Sequence, residues 1–142
     1  MIILDTNIAS VVATPGHADL PAVLAWQQSS PDQDFRITAI TRAEMAYGVA
    51  ILPAGARKTK LADAIHRFFG ATIAVTLPFG PAEADAYGAI VAARKAVGHP
   101  IGVLDAQIAA TARIAGAVVA TRNVDDFVDC GVQIVNPYAP GA

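Results

Sequence analysis

Five side chains spread along the chain could do chemistry: Asp5, Glu44, Asp105, Asn123 and Asp126. Asp5 closes "MIILDTN", where four apolar residues run without a turn residue into a carboxylate and two more hydrogen-bonding side chains, Thr6 and Asn7. Glu44 follows the alternating stretch "FRIT" within "AITRAE", Asp105 opens "VLDAQ", and Asn123 and Asp126 come just after "VVAT" and Arg122. Each has an ordinary structural reading. Thr41-x-x-Glu44 matches a capping box, and Asn123-x-x-Asp126 matches an N-cap with a favourable first-turn charge. Asp105 gains from a helix dipole, and Asp5 can cap whatever follows it.

Taken together, the acids read differently. If the strands that deliver them are neighbours, three or four carboxylates meet at one rim. At an effective dielectric near 20, two such charges about 4 Å apart repel by about 4 kcal/mol. Helix N-termini offset no more than about 1–2 kcal/mol of that each, so the site calls for protons or a cation. Oxygen ligands without a His or Cys cluster select Mg²⁺, or Mn²⁺ as the alternative, over zinc. A carboxylate-held divalent ion activates water and stabilises a phosphorus centre. The chemistry this constellation points to is phosphodiester hydrolysis, with Arg42 and Arg122 beside the acids as candidate phosphate contacts.

The elements around these residues alternate. "IIL" (2–4), "FRIT" (35–38), "TIAVTL" (72–77), "AVVAT" (117–121) and "QIV" (133–135) read as short strands. Between them come a polar stretch with Pro15, Gly16 and Pro21, and helices over 20–29, 41–52, 56–69, 81–97 and 103–115, with a short helix in "VDDFVD". Asp105 aligns with Ile108, Ala109 and Ala112 on a buried stripe. Glu44 aligns in the same way with Tyr47, Gly48 and Ile51, and Gly48 implies a close backbone approach. Such alternation predicts an α/β fold with a central, mostly parallel sheet of four to five strands covered by helices on both faces. Ligands of such sheets bind at the carboxyl ends of the strands, where all of the candidate residues fall.

Length and composition agree with one domain over residues 1–142. No apolar run is long enough to span a bilayer. "MIIL" lacks the length and basic flank of a secretory signal, so the expected location is cytoplasmic and no membrane partner is expected. The lone Cys130, in what reads as a surface turn, cannot form an internal disulfide. The net charge of −2 leaves no global nucleic-acid footprint, yet setting Asp5, Glu44, Asp105 and Asp126 aside turns it to +2. The basic run "ARKTK" (56–60) reads as a solvated helix start.

The pattern resembles the PIN-domain ribonucleases, in particular the VapC/FitB-like toxins of bacterial type II toxin–antitoxin pairs. The pieces that carry the resemblance are "ILDTN" (3–7), "TAITRAEMAYGV" (38–49), "VLDAQIAATARIAG" (103–116) and "VVATRNVDDF" (118–127), which together span nearly the whole chain. The resemblance implies that Asp5, Glu44 and Asp105 are acidic metal ligands and that Thr6, Asn7 and Thr121 support them. It also implies an RNA substrate, a homodimer, and a cognate antitoxin whose tail masks the acids, with Leu52, Leu61, Ile65 and Phe69 as residues that could face that tail. The position after the Thr-Arg pair, often Asp in FitB-like members, is Asn123 here. Either Asn123 ligates through its amide or orients a water, or Asp126 reaches in from the next turn. Two alternatives stay open: a weakened PIN module that binds RNA or protein without cleavage, and an aspartyl-nucleophile phosphatase, which normally needs a second acid where Asn7 stands.

Overall fold

The computed structural model describes residues 1–139 and 141. β1 (Ile2–Leu4) is buried at every position, as a central parallel strand must be. It alternates: Ile2 and Leu4 enter one apolar cluster and Ile3 the other. β2 (Phe35–Thr38), β3 (Thr76–Leu77), β4 (Val118–Ala120) and β5 (Gln133–Val135) complete the sheet in the order β3-β2-β1-β4-β5. All four pairings are parallel, with Ile3 opposite both Arg36 and Val119.

α1 (Thr6–Ala13), α2 (Leu20–Gln28), α3 (Ala39–Ala50) and α4 (Ala56–Thr72) contribute Ile8, Val11, Val23, Trp26, Met45 and Ile65 to the first cluster. α5 (Pro81–Ala96) and α6 (Val103–Ala115) cover the other face with Ile90, Ile108 and a run of fully buried alanines. Those alanines let α6 lie close against α5 and the sheet, while Gly116, in the left-handed region at φ 62°, ends the helix and turns the chain into β4. Among the described residues no helix is long and apolar enough to cross a membrane.

The α/β class and its parallel sheet follow the sequence reading; several local details differ. α1 lies where a polar stretch was expected. Asp5 caps it, and burial of Ile8, Ala9, Val11 and Ala13 stabilises a segment whose β-branched residues are only moderate helix formers. α3 starts at Ala39, and its cap is Thr38, whose Oγ1 accepts the Thr41 N–H at 3.0 Å, so Thr41 and Glu44 form no capping box. α4 runs on to Thr72 and a 3₁₀ turn follows, which shortens the expected third strand to Thr76–Leu77. The short helix in "VDDFVD" is a 3₁₀ turn over Val124–Asp126. Cys130 is buried at 1% exposure rather than in a surface turn, and burial raises its thiol pKa.

On α3 the stripe of Glu44 is not core: Tyr47 and Ile51 are 67% and 62% exposed. A Cβ on Gly48 would meet nothing within 4 Å, so no backbone approaches there. The buried face of α3 is instead marked by Thr41 and Met45.

Because Thr38 joins β2 to the helix that carries Glu44, Thr38→Val should lower stability by about 1–2 kcal/mol through loss of the cap. Urea unfolding checks this: the midpoint should fall with an unchanged slope.

Candidate active site

In the order β3-β2-β1-β4-β5, successive connections turn in opposite directions from β1, so β1 and β4 flank the crevice where ligands of open parallel sheets bind. Asp5 leaves the end of β1, and Thr121 and Asn123 leave the end of β4. Asp5 is 4% exposed. Its Oδ1 accepts the Thr6 N–H at 2.7 Å, and its Oδ2 accepts the Asn7 amide and the Thr121 hydroxyl, each at 2.7 Å. A carboxylate has about four lone-pair sites, so roughly one remains open toward the cleft.

Thr121, fully buried, is the hub. It donates to Asp5 and accepts both the Asn7 amide at 3.2 Å and the Asn123 N–H at 3.0 Å. Asn7 in turn accepts the Arg122 N–H at 3.2 Å, so the ends of β1 and β4 are tied through side chains as well as through the ladder. Thr6 reaches the other way and donates to Glu44 Oε1 at 2.7 Å, linking α1 to α3. A cleft of about 270 Å³ is lined by Asp5, Thr6, Asn7, Glu44, Asp105 and Asn123.

The charge state follows from this crowding. Burial raises the Asp5 pKa; hydrogen bonds from Thr121 and Thr6 oppose the rise, and the Glu44 and Asp126 carboxylates add to it. Asp105 is pushed up to about 6, first by burial and then by the charges of Asp5, Asp126 and Glu44, against a lowering by Arg94. Four acids from separate segments therefore act on one another electrostatically.

Residues 2–131 match the PIN domain family. The chain is a PIN domain. It is 37% identical over 143 residues to the VapC ribonuclease Y4jK of Sinorhizobium fredii, covering 99% of both chains. It is 36% identical over 142 residues to the toxin FitB of Neisseria gonorrhoeae, covering 97% of this chain and 99% of that one. Among solved structures, a chain of FitAB bound to the IR36 DNA fragment matches with a TM-score of 0.86 and 35% identity over 98% of this chain and 96% of that one. This PIN domain therefore stands among the VapC- and FitB-like members.

The remaining candidates are placed unevenly around the cleft of the PIN domain. Asn123 lines it, and its side chain does not cap the 3₁₀ turn. Asp126 lies in an adjoining hollow with Arg122 and Asn136, from which its charge acts on Asp5 and Asp105. The two arginine heads are engaged within the protein. Arg42 donates to the Phe69 carbonyl at 3.0 Å and stacks on the Phe69 ring. Arg122 pairs with Asp19 and stacks on Tyr138.

Two residues near the site were not singled out from the sequence. Ser10 lines the cleft one turn after Thr6, a spacing legible only once α1 is recognised. Arg94 is 5% exposed and gives its guanidinium to the carbonyls of His99, Asp125 and Val128, which fastens the loop bearing Asp126 to the end of α5.

Among the described residues no three His, Cys, Asp or Glu side chains stand as a ready metal cage. The donor chemistry nevertheless fits a hard divalent cation: oxygen ligands only, an oriented Asp5 with a free lone pair, and mutual repulsion that positive charge relieves.

The raised Asp105 pKa sets a sign. From its ordinary 3.8 to about 6, the unfolded chain releases this proton more readily than the folded one, so the metal-free protein loses stability as pH rises through that window. Asp105→Asn should melt higher than the parent at pH 7 in chelator, with the gain vanishing below about pH 4. Thermal melts of both proteins across this range test it.

Proposed function

We propose that this chain is a divalent-metal-dependent endoribonuclease that acts as the toxin of a toxin–antitoxin pair. The observation that carries the reading is the convergence of Asp5, Glu44 and Asp105 on one cleft, with Asp5 locked by three hydrogen bonds. The relative named as a VapC ribonuclease supports the reaction, and the relative named as toxin FitB supports the biological role.

Asp5, Glu44 and Asp105 would hold Mg²⁺, or Mn²⁺ in its place, which when bound supplies an activated water for in-line attack and offsets charge at phosphorus. The chain's own groups do the positioning. Thr121 and Asn7 hold the Asp5 carboxylate at a fixed angle, and Thr6 holds Glu44. Asp105, with its pKa near 6, is ready to lose its proton near neutrality. Asn123 brings a neutral amide to the rim, where a donor and an acceptor face the substrate without adding negative charge against a phosphate.

A cognate antitoxin and a homodimer belong to the same proposal. The structure of FitAB on DNA supports the first, because a FitB-like chain is there found in an assembly. The exposed Tyr47 and Ile51 next to Glu44 form an apolar surface that a partner would cover. Beside them, Met45, Val49, Leu52, Leu61 and Ile65 line a groove opening onto the acids, apolar enough for a peptide tail. The absence of an acid at Asn123 favours one second reading, a module that binds RNA without cutting it.

RNA cleavage by the purified protein should require Mg²⁺ or Mn²⁺, stop on chelation, and fall to background in Asp5→Asn and Asp105→Asn. Thr121→Val, which removes a donor to Asp5 and the acceptor for Asn7 and the Asn123 N–H but none of the three acids, should cost roughly 10- to 100-fold. Sequencing RNA ends after induced expression, parent against Asp5→Asn, reads both activity and target. RNA retention by the parent without any new ends would sink the nuclease and leave the binding module.

A further inference from the structure

Local contacts account for only part of the run "ARKTK". Arg57 and Lys58 fall in the first turn of α4 and Lys60 just after it, at the positive end of the helix dipole, and no acidic residue shares that first turn. Lys58 has a local use, donating to the Ala50 carbonyl at the end of α3. Arg57 and Lys60 have none of this kind, and Arg67, on the same face at helical spacing, resembles them. Among the described residues the ion pairs are Arg36–Asp34 and Arg122–Asp19, so these three cations have no carboxylate partner.

The three line one groove of about 290 Å³ between α4 and the end of α1, floored by Leu61 and Thr14. Shared lining residues link that groove stepwise to the acidic site. Thr14 and Leu61 also line the apolar groove beside α3. Thr6, Ser10 and Glu44 are shared between the apolar groove and the acidic cleft. From Thr6 to Thr14 the axis of α1 rises about 12 Å, a distance of a few nucleotides.

We infer that Arg57, Lys60 and Arg67 form a subsite for the phosphates of a single-stranded RNA whose scissile bond lies at the acidic cleft. The inference rests on the nuclease reading for the identity of the polymer. The charge selects the occupant: a polyanion relieves three cations that line one groove, Arg57 and Lys60 near the start of α4 and Arg67 further along it, whereas a basic peptide would add to the crowding. The acids, crowded among themselves, repel phosphate unless a cation is present, so the strand is gripped mainly away from the cut.

The test measures binding of fluorescein-labelled single-stranded RNA of about a dozen nucleotides to the Asp5→Asn chain as a function of salt. It is repeated with Arg57→Gln/Lys60→Gln/Arg67→Gln added. Each lost phosphate contact flattens the log–log salt dependence by about 0.7 for single strands, so the triple variant should be shallower by about 2. The chain without the three substitutions should therefore lose roughly 16-fold more affinity than the variant between 50 and 200 mM salt. The three single substitutions, all on the exposed face of α4, should each give about a third of the change and keep the readout available if the triple variant unfolds.

An unchanged slope overturns the subsite and returns these residues to a solvated face, with the nuclease reading intact. Unchanged RNA binding with lost antitoxin binding overturns it as well, and gives the groove to protein. A flattened slope in a protein whose parent never cuts RNA keeps the subsite and removes the nuclease.

Discussion

The structure depends on one electrostatic constraint: negative charge from separate segments is concentrated at the carboxyl ends of β1 and β4. Asp5 is the most buried of these acids. It is nearly sealed from water, and its charge is tolerable only because Thr6, Asn7 and Thr121 all donate to it. Removing any of those donors would raise the cost of ionising Asp5 and loosen its direction. The cleft is thus poised electrostatically: unfavourable when left alone near neutral pH, and relieved by a proton on Asp105 or by a cation.

The fold serves that constraint by dividing its labour between two faces. α6 presents buried alanines and so brings Asp105 in close without a gap, while Ile108 and Ile90 exclude water behind it. On the opposite face α1 links the parts, because Asp5 caps it, Thr6 reaches Glu44 and Ser10 reaches the cleft. Arg94 does a similar task from behind. Its buried guanidinium donates to three backbone carbonyls and keeps the loop after β4 at a set height.

The charge pattern along the surface follows the same logic. Acids occupy the crevice between β1 and β4, apolar side chains line the groove beside α3, and Arg57, Lys60 and Arg67, without a carboxylate partner among the described residues, stand at its far end. A polyanion with one phosphate over a bound cation and others over Arg57, Lys60 and Arg67 would match this gradient along its length. An apolar tail would match only the middle portion.

Much of this could be read in the sequence, because strands buried on both faces must be short apolar runs and parallel sheets present their carboxyl ends to ligands. The acids at the ends of those runs and the stripe of Asp105 were legible from local pattern, whereas the support from Thr6 and Asn7 was implied only by the family resemblance. α1 was not, since Ile8, Val11 and Val12 are no better than moderate helix formers and only tertiary burial stabilises them as a helix. The exposure of Tyr47 and Ile51 was hidden as well: periodicity shows that a helix has two faces but not which one a neighbour will cover. Arg42 and Arg122 looked free because their partners, Phe69 and Asp19, are distant in sequence. Residue type and spacing thus determined the class of fold and the chemistry available at the strand ends. Which carboxylates come within range of one another, which arginines are already engaged, and which cations are left without partners was decided by packing, because charges interact through space and sequence separation says nothing about that distance.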